Sequence, residues 1–372
     1  MKRLPQFAFL LLAGWLNLPT MTAQQSISPM VDTMADSRTQ ALYRNLHGLQ
    51  GKGIMFGHQD DLAYGIGWKE AKLRSDVADV SGSFPAVYGW ELSKLGKQSS
   101  NIDTVDFGKM RKWIQAGYEM GGMITICWHL DNPVSGGDAW DNTPAVPAIL
   151  PGGELHSWYQ GQLDLIAEFM LSLEGGSPKA HIPVVFRPFH EQSGGWFWWG
   201  TGHRSPEQYQ QLWRFTVEYL RDTKGVHNLL YAYSPDVVNS KEQYLMDYPG
   251  DAYVDVLGLD DYADFRPGGT PERLTERLRM LGEIAMERGK LFALTETGFE
   301  LIPQHDWWTA SLLRHIEADP IASRISWMLV WRNGRPDHYY APFPGHPSAA
   351  DFIKFRDSPS VLFVEELPDL YK

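Results

Sequence analysis

Eight short apolar runs separated by helical patterns limit what this chain can fold into more than any other feature of its sequence. They occupy residues 53–59, 84–92, 123–130, 182–191, 228–236, 254–262, 290–298 and 324–334. Within each run, as in "MITICWHL", apolar residues fall on consecutive positions. Strands of that kind are buried on both faces, which points to a parallel sheet covered by helices. The segments between them carry helix signals. "SPEQYQQLWRFTVEYL" offers Ser205 as N-cap, Pro206 at the first helical position and Gln208 to complete a capping box. "TPERLTERLRMLGEIAMERG" lines Leu274, Leu278, Leu281 and Ala285 along one face and stops at Gly289, a C-cap. Eight strand–helix units in about 340 residues predict an α/β fold, a single (β/α)8 TIM barrel with elaborated loops at its C-terminal face. A doubly wound open sheet is the competing arrangement, but no G-x-G-x-x-G follows the first run.

In a barrel the C-terminal ends of the strands surround one mouth. Those ends carry His58 and Asp60, Glu91, His129 and Asp131, His190 and Glu191, Asp236, Asp261 and Tyr262, Glu296, and Trp331 with Arg332. The strand beginnings carry almost nothing comparable, so the mouth is the expected site.

Charge and composition narrow the partner. With 45 acidic against 33 basic side chains and a formal net charge of −12, no nucleic-acid partner is expected, whereas an uncharged sugar is compatible. The N-terminus reads as a signal peptide over residues 1–23: Lys2 and Arg3, then "FAFLLLAGWL", then a small-residue cleavage site near Ala23. That stretch is too short to span a bilayer, and there is no other apolar run of about 20 residues. The mature chain, residues 24–372, is therefore expected to be one exported catalytic domain, periplasmic or secreted, without a membrane span. The single Cys127 excludes an internal disulfide and a cysteine-cluster metal site, and it reads as buried and inert.

An acid-rich mouth suits either a metal or acid–base work. The histidines are scattered singly over different strands, without the short H-x-x-x-H type of spacing, which makes metal the secondary reading. No G-x-S-x-G marks a serine nucleophile. Paired carboxylates beside tryptophan suit glycoside hydrolysis, because sugars stack C–H faces on indole and need an acid at the departing oxygen. The residues alone do not choose two acids from six.

The stretches "FGHQDDLAYG", "WHLDNPVSGG", "FRPFHEQSGGWFWWG" and "TETG" resemble the β-mannanases of glycoside hydrolase family 26, over essentially the whole mature chain. The resemblance implies a (β/α)8 barrel of the large retaining clan, with catalytic glutamates ending strands four and seven. By that likeness Glu191 is the acid/base, Glu296 the nucleophile and Tyr262 the nucleophile's partner. His129, His190, Trp196, Trp331 and Arg332 match substrate-binding positions, with Trp196 expected as an apolar wall that raises the pKa of Glu191. The implied activity is retaining hydrolysis of β-1,4-mannosidic bonds in mannans and manno-oligosaccharides, endo or releasing mainly mannobiose. No metal or other cofactor is implied, and a monomer is expected. The alternatives are a β-glucanase or xylanase activity of the same family, or a non-catalytic mannan-binding barrel.

Overall fold

The computed structural model describes residues 27–372, so the expected signal peptide lies outside the described residues. All eight apolar runs become strands: β1 (Ile54–Gln59), β2 (Val87–Glu91), β3 (Met123–Trp128), β4 (Val184–Pro188), β5 (Leu229–Tyr233), β6 (Val256–Asp261), β7 (Leu291–Thr297) and β8 (Trp327–Val330). Each pairs in parallel with the next, and β8 pairs back onto β1, which closes the barrel. A short β9 (Val361–Leu362) runs alongside β1 at the base.

The helices form where the capping chemistry placed them. In Pro206–Glu218 both halves of the Ser205–Gln208 capping box are made. Glu272–Arg288 ends at Gly289 in the left-handed conformation, φ 64°, and buries Leu274, Leu278, Leu281 and Ala285. No helix among the described residues is long and apolar enough to cross a membrane.

Two cores follow from the alternation of side chains along each strand. The outward set packs under the helices and is rich in large rings such as Phe56, Tyr88, Trp90 and Phe186. The inward set at the lower end is aliphatic and small: Met55, Val87, Met123, Val185, Leu230, Val256, Leu291 and Leu329. Leu42, Tyr43, Leu46 and Leu49 of the N-terminal helix Ser37–Leu49 join that inner set, so the helix plugs the bottom of the barrel.

One irregularity matters for the site. Leu259 faces Leu294 across β6–β7, yet Asp260 faces Glu296, and across β7–β8 Leu294 faces Met328 while Thr297 faces Val330. Strand β7 thus carries one residue more than either neighbour at this level, a β-bulge at the mouth.

Candidate active site

Strand β4 leads into a tight turn in which Phe189 and Glu191 both hold positive φ, 50° and 54°. Left-handed backbone costs a non-glycine residue on the order of 1 kcal/mol or more and persists only where surroundings impose it. The aromatic loop imposes it here. Tyr209 Oη donates to the Phe189 carbonyl (2.9 Å), Trp199 Nε1 donates to the His190 carbonyl (2.9 Å), and Glu191 N donates to the Ser234 carbonyl (2.7 Å). The Phe189 ring packs edge-on against Trp198 and Trp199, both fully buried. The aromatic cluster therefore fixes the turn that presents the Glu191 carboxyl to the mouth.

Glu296 arrives from the bulged end of β7 and receives two donors. Tyr262 Oη donates to its Oε2 at 2.9 Å, and Arg187 Nη2 donates to its Oε1. Arg187, buried inside the barrel, also donates through Nη1 to Asp260 Oδ2 at 2.6 Å and to Ser234 Oγ at 3.0 Å. Thr295 Oγ1 holds the other Asp260 oxygen at 2.6 Å. One oxygen from each of Glu191, Asp260 and Glu296 lies within 4.8 Å of the other two. Two of these three carboxylates already share the Arg187 guanidinium, which supplies the counter-charge that a cation would bring.

The two glutamates sit in opposite surroundings. Among the described residues Glu296 pairs with Arg187, whereas Glu191 forms no ion pair. Burial of its surroundings, then the charges of Glu296, Asp260 and Asp236, push its pKa well above the usual carboxylate range, while the Trp196 indole opposes the rise. Trp196 Nε1 donates to Glu191 Oε2 at 2.7 Å, and the ring is 38% exposed. The expectation for Trp196 is corrected accordingly: its contact with the acid is a hydrogen bond to the carboxylate, which lowers the pKa, and the raising comes from burial and neighbouring charge.

The cleft has a volume of about 390 Å³, and its walls bring together Glu191, Glu296, Tyr262, His129, His190, Trp196 and Trp331. His190 is buried, and burial followed by the Arg187 charge and His129 lowers its pKa well below the usual range, so its imidazole is neutral. Arg332 is not among the lining residues. Its Nε pairs with buried Asp103 Oδ1 at 2.8 Å, and its Nη1 lies 3.4 Å from Tyr64 Oη, which itself donates to Asp60. Among the other strand-end acids Asp236 lines the same cleft, while the rest are occupied elsewhere. Asp61 takes His58 (2.7 Å), Glu91 takes the Ser93 and His129 amides, Asp131 takes Lys94 and Lys97, and Asp261 takes Arg277 (2.8 Å).

Three wall or floor residues lay outside the sequence reading as functional groups. Arg187 stands inside "VVFRP", and that is a signal, since a charge in a doubly buried strand needs acids opposite it. Asp260 is that acid. Trp140, from the loop at 131–154, is 47% exposed and stacks on His129 with centroids 5.1 Å apart and planes at 13°.

Removing one partner of a buried charge cluster leaves the others uncompensated. Arg187→Met is expected to lower the unfolding free energy by about 3–5 kcal/mol, read from denaturant midpoints. A loss below about 1 kcal/mol would mean that Asp260 and Glu296 do not depend on the guanidinium.

With the geometry described, similarity to known proteins can be stated. The family model described as Glycosyl hydrolase family 26 matches residues 31–292. The mannan endo-1,4-beta-mannosidase of Bifidobacterium adolescentis is 35% identical over 351 residues, 88% of this chain and 34% of that protein. A Bacillus subtilis protein of the same name is 29% identical over 252 residues, 64% of this chain and 65% of its own length. The chain thus spans about a third of the first relative and just under two thirds of the second. Among solved structures, a GH26 beta-mannanase from Bacteroides ovatus superposes with a TM-score of 0.86 at 46% identity, covering 91% of this chain and 98% of that one. An endo-beta-1,4-mannanase from Cellulomonas fimi gives 0.85 at 38% identity, with 93% and 79% coverage. The closed barrel, the paired glutamates on β4 and β7 and the family match agree: this chain belongs to glycosyl hydrolase family 26.

Proposed function

We propose that the chain is a retaining β-1,4-mannanase that cleaves internal bonds of mannans and manno-oligosaccharides. The observation that carries this reading is the placement of Glu191 and Glu296 oxygens within 4.8 Å of each other in opposite electrostatic surroundings. Carboxyls about 5–5.5 Å apart serve direct attack by one of them, whereas inverting enzymes leave room for a water between the two. The substrate follows from the related proteins, which are named as mannan endo-1,4-beta-mannosidases and beta-mannanases.

Glu191 gives its proton to the glycosidic oxygen as the bond to C1 breaks, and Glu296 attacks C1 to form a covalent mannosyl ester. Tyr262 and Arg187 hold the two Glu296 oxygens, so the attacking lone pair does not have to be found by rotation. Ester formation removes the Glu296 charge, which is one of the causes keeping Glu191 protonated. The acid therefore weakens its hold on its proton as the glycosidic bond breaks, which favours donation to the leaving oxygen; Glu191, now a carboxylate, then accepts a proton from water as that water attacks C1 and frees Glu296. Trp331, Trp140 and the paired imidazoles of His129 and His190 form the walls against which the sugar rings lie. A non-catalytic barrel would have no use for a raised acid facing a fully hydrogen-bonded carboxylate.

A time course on linear mannan and mannohexaose is expected to give a spread of manno-oligosaccharides with retained anomeric configuration by proton NMR. Glu191→Ala and Glu296→Ala should each lose roughly 10²–10⁴-fold in kcat. Mannobiose alone from the first minutes would replace the endo mode with an exo mode, and cleavage of glucan or xylan but not mannan would overturn the substrate. Near-normal turnover in either variant would overturn the catalytic pair.

The hydrogen bond from Trp196 gives a pH prediction. It stabilises the ionised form of Glu191, so Trp196→Phe raises the pKa of the acid and keeps it protonated to higher pH. The alkaline limb of kcat/KM is expected to move up; an unmoved or lowered limb would show that the indole does not tune the acid.

We also propose that the chain acts outside the cytoplasm as a monomer after loss of residues 1–23. N-terminal sequencing of protein secreted by an expressing cell should begin at or near Gln24, and an intact Met1 on the exported product would refute this.

A further inference from the structure

We propose that Glu91, Cys127 and His129 form an inhibitory binding site for a thiophilic divalent cation in the floor of the cleft, next to the catalytic carboxyls. Glu91 closes β2 and faces Cys127 of β3, which in turn faces Arg187 of β4. His129 follows two residues after Cys127 and reaches the cleft wall. One donor atom of each, a carboxylate oxygen, the thiol sulfur and an imidazole nitrogen, lies within 4.8 Å of the other two.

Three observations point to a ligand and beyond a lone buried thiol. His129 is 5% exposed, and its Nδ1 makes no hydrogen bond; it lies 3.2 Å from Glu91 Oε1 without the geometry for one. Glu91 is held rigidly by the amides of Ser93 and His129, so a carboxylate is fixed at the site. Burial first, then the charge of Glu91, pushes the Cys127 thiol up, with Arg187 opposing and Glu296 and Asp103 adding to the rise; the acids beside the sulfur make a negative field that favours a cation.

A mixed sulfur, nitrogen and oxygen set is the kind that zinc and cadmium take, with metal–donor distances of about 2.0–2.3 Å. Reaching them requires the donors to close by about 1 Å. The His129 ring can supply that movement, because it is stacked on Trp140 and its Nδ1 is anchored by no hydrogen bond. Binding converts the Cys127 thiol to a thiolate, whose proton leaves to solvent; Glu91 binds as the carboxylate and His129 as the neutral imidazole. Turning the His129 ring breaks its stack with Trp140, and with it the wall that holds the sugar. The cation is thus an inhibitor of the enzyme, and Cys127 is not inert.

The test is a titration of the whole protein with cadmium chloride, followed by the ultraviolet thiolate-to-metal charge-transfer absorbance. The chain contains one cysteine, so any such band reports Cys127. The band is expected to saturate at one equivalent, to be absent in Cys127→Ser, and to need roughly tenfold or more cadmium in His129→Ala, the scale on which even outer partners of a metal act. Cys127→Ala serves the same purpose if the serine variant fails to fold. No band in the wild type at stoichiometric cadmium, or unchanged affinity in His129→Ala, would overturn the site. Mannan hydrolysis measured alongside should fall with saturation in the wild type and persist in Cys127→Ser; full activity at saturation would overturn the inhibitory role. This last arm alone rests on the proposed activity, whereas the absorbance does not.

Discussion

The mouth of this barrel is arranged around one buried guanidinium. Arg187 projects inward from β4 and donates to Asp260 on β6 and Glu296 on β7, so a single side chain ties three strands at the level of the mouth. A cation in that place would be costly without its acids, and the acids would be costly without it. Such clusters are poor evidence for net stability, since apolar residues can fill the same volume at no loss. What the cluster supplies is orientation, because each carboxylate oxygen is spoken for by a named donor. Glu191, a few ångströms away, is left out of this pairing, and that exclusion gives two glutamates of the same chemistry different surroundings.

The aromatic loop has a related task on the other side of the cleft. The rings after Glu191 look, by composition, like a sugar-binding surface, but Trp198 and Trp199 never meet solvent. They spend their indole N–H groups on the backbone carbonyls of Leu130 and His190. The tryptophans that line the cleft are instead Trp196, Trp331 and Trp140, drawn from three different loops.

The fold was largely legible because the strands are long apolar runs with capped helices between them, and these are local signals. The place of Glu191 at the mouth was legible as a strand end, whereas its role came only from the family resemblance. Arg187 and Asp260 were not paired in advance, since the partners lie 73 residues apart and meet only when the sheet closes. Arg332 shows the same limit: its ion partner is Asp103, on a loop more than two hundred residues earlier in the chain, a pairing that the sequence does not display. Trp196 was read correctly as a neighbour of the acid and wrongly as an apolar one, because an indole has both a greasy face and a donor edge and only the orientation decides between them.

The extra residue in β7 has a wider meaning. Ala293 points into the barrel and Leu294 out towards the helices, so strict alternation would turn Thr295 in and Glu296 out. Because β7 slips by one position against both neighbours, Glu296 comes to the inside instead. The carboxylate at the mouth thus owes its place to a counting error in a ladder, and a perfectly regular barrel built from the same eight strands would be a better sheet with that carboxylate stranded in its wall.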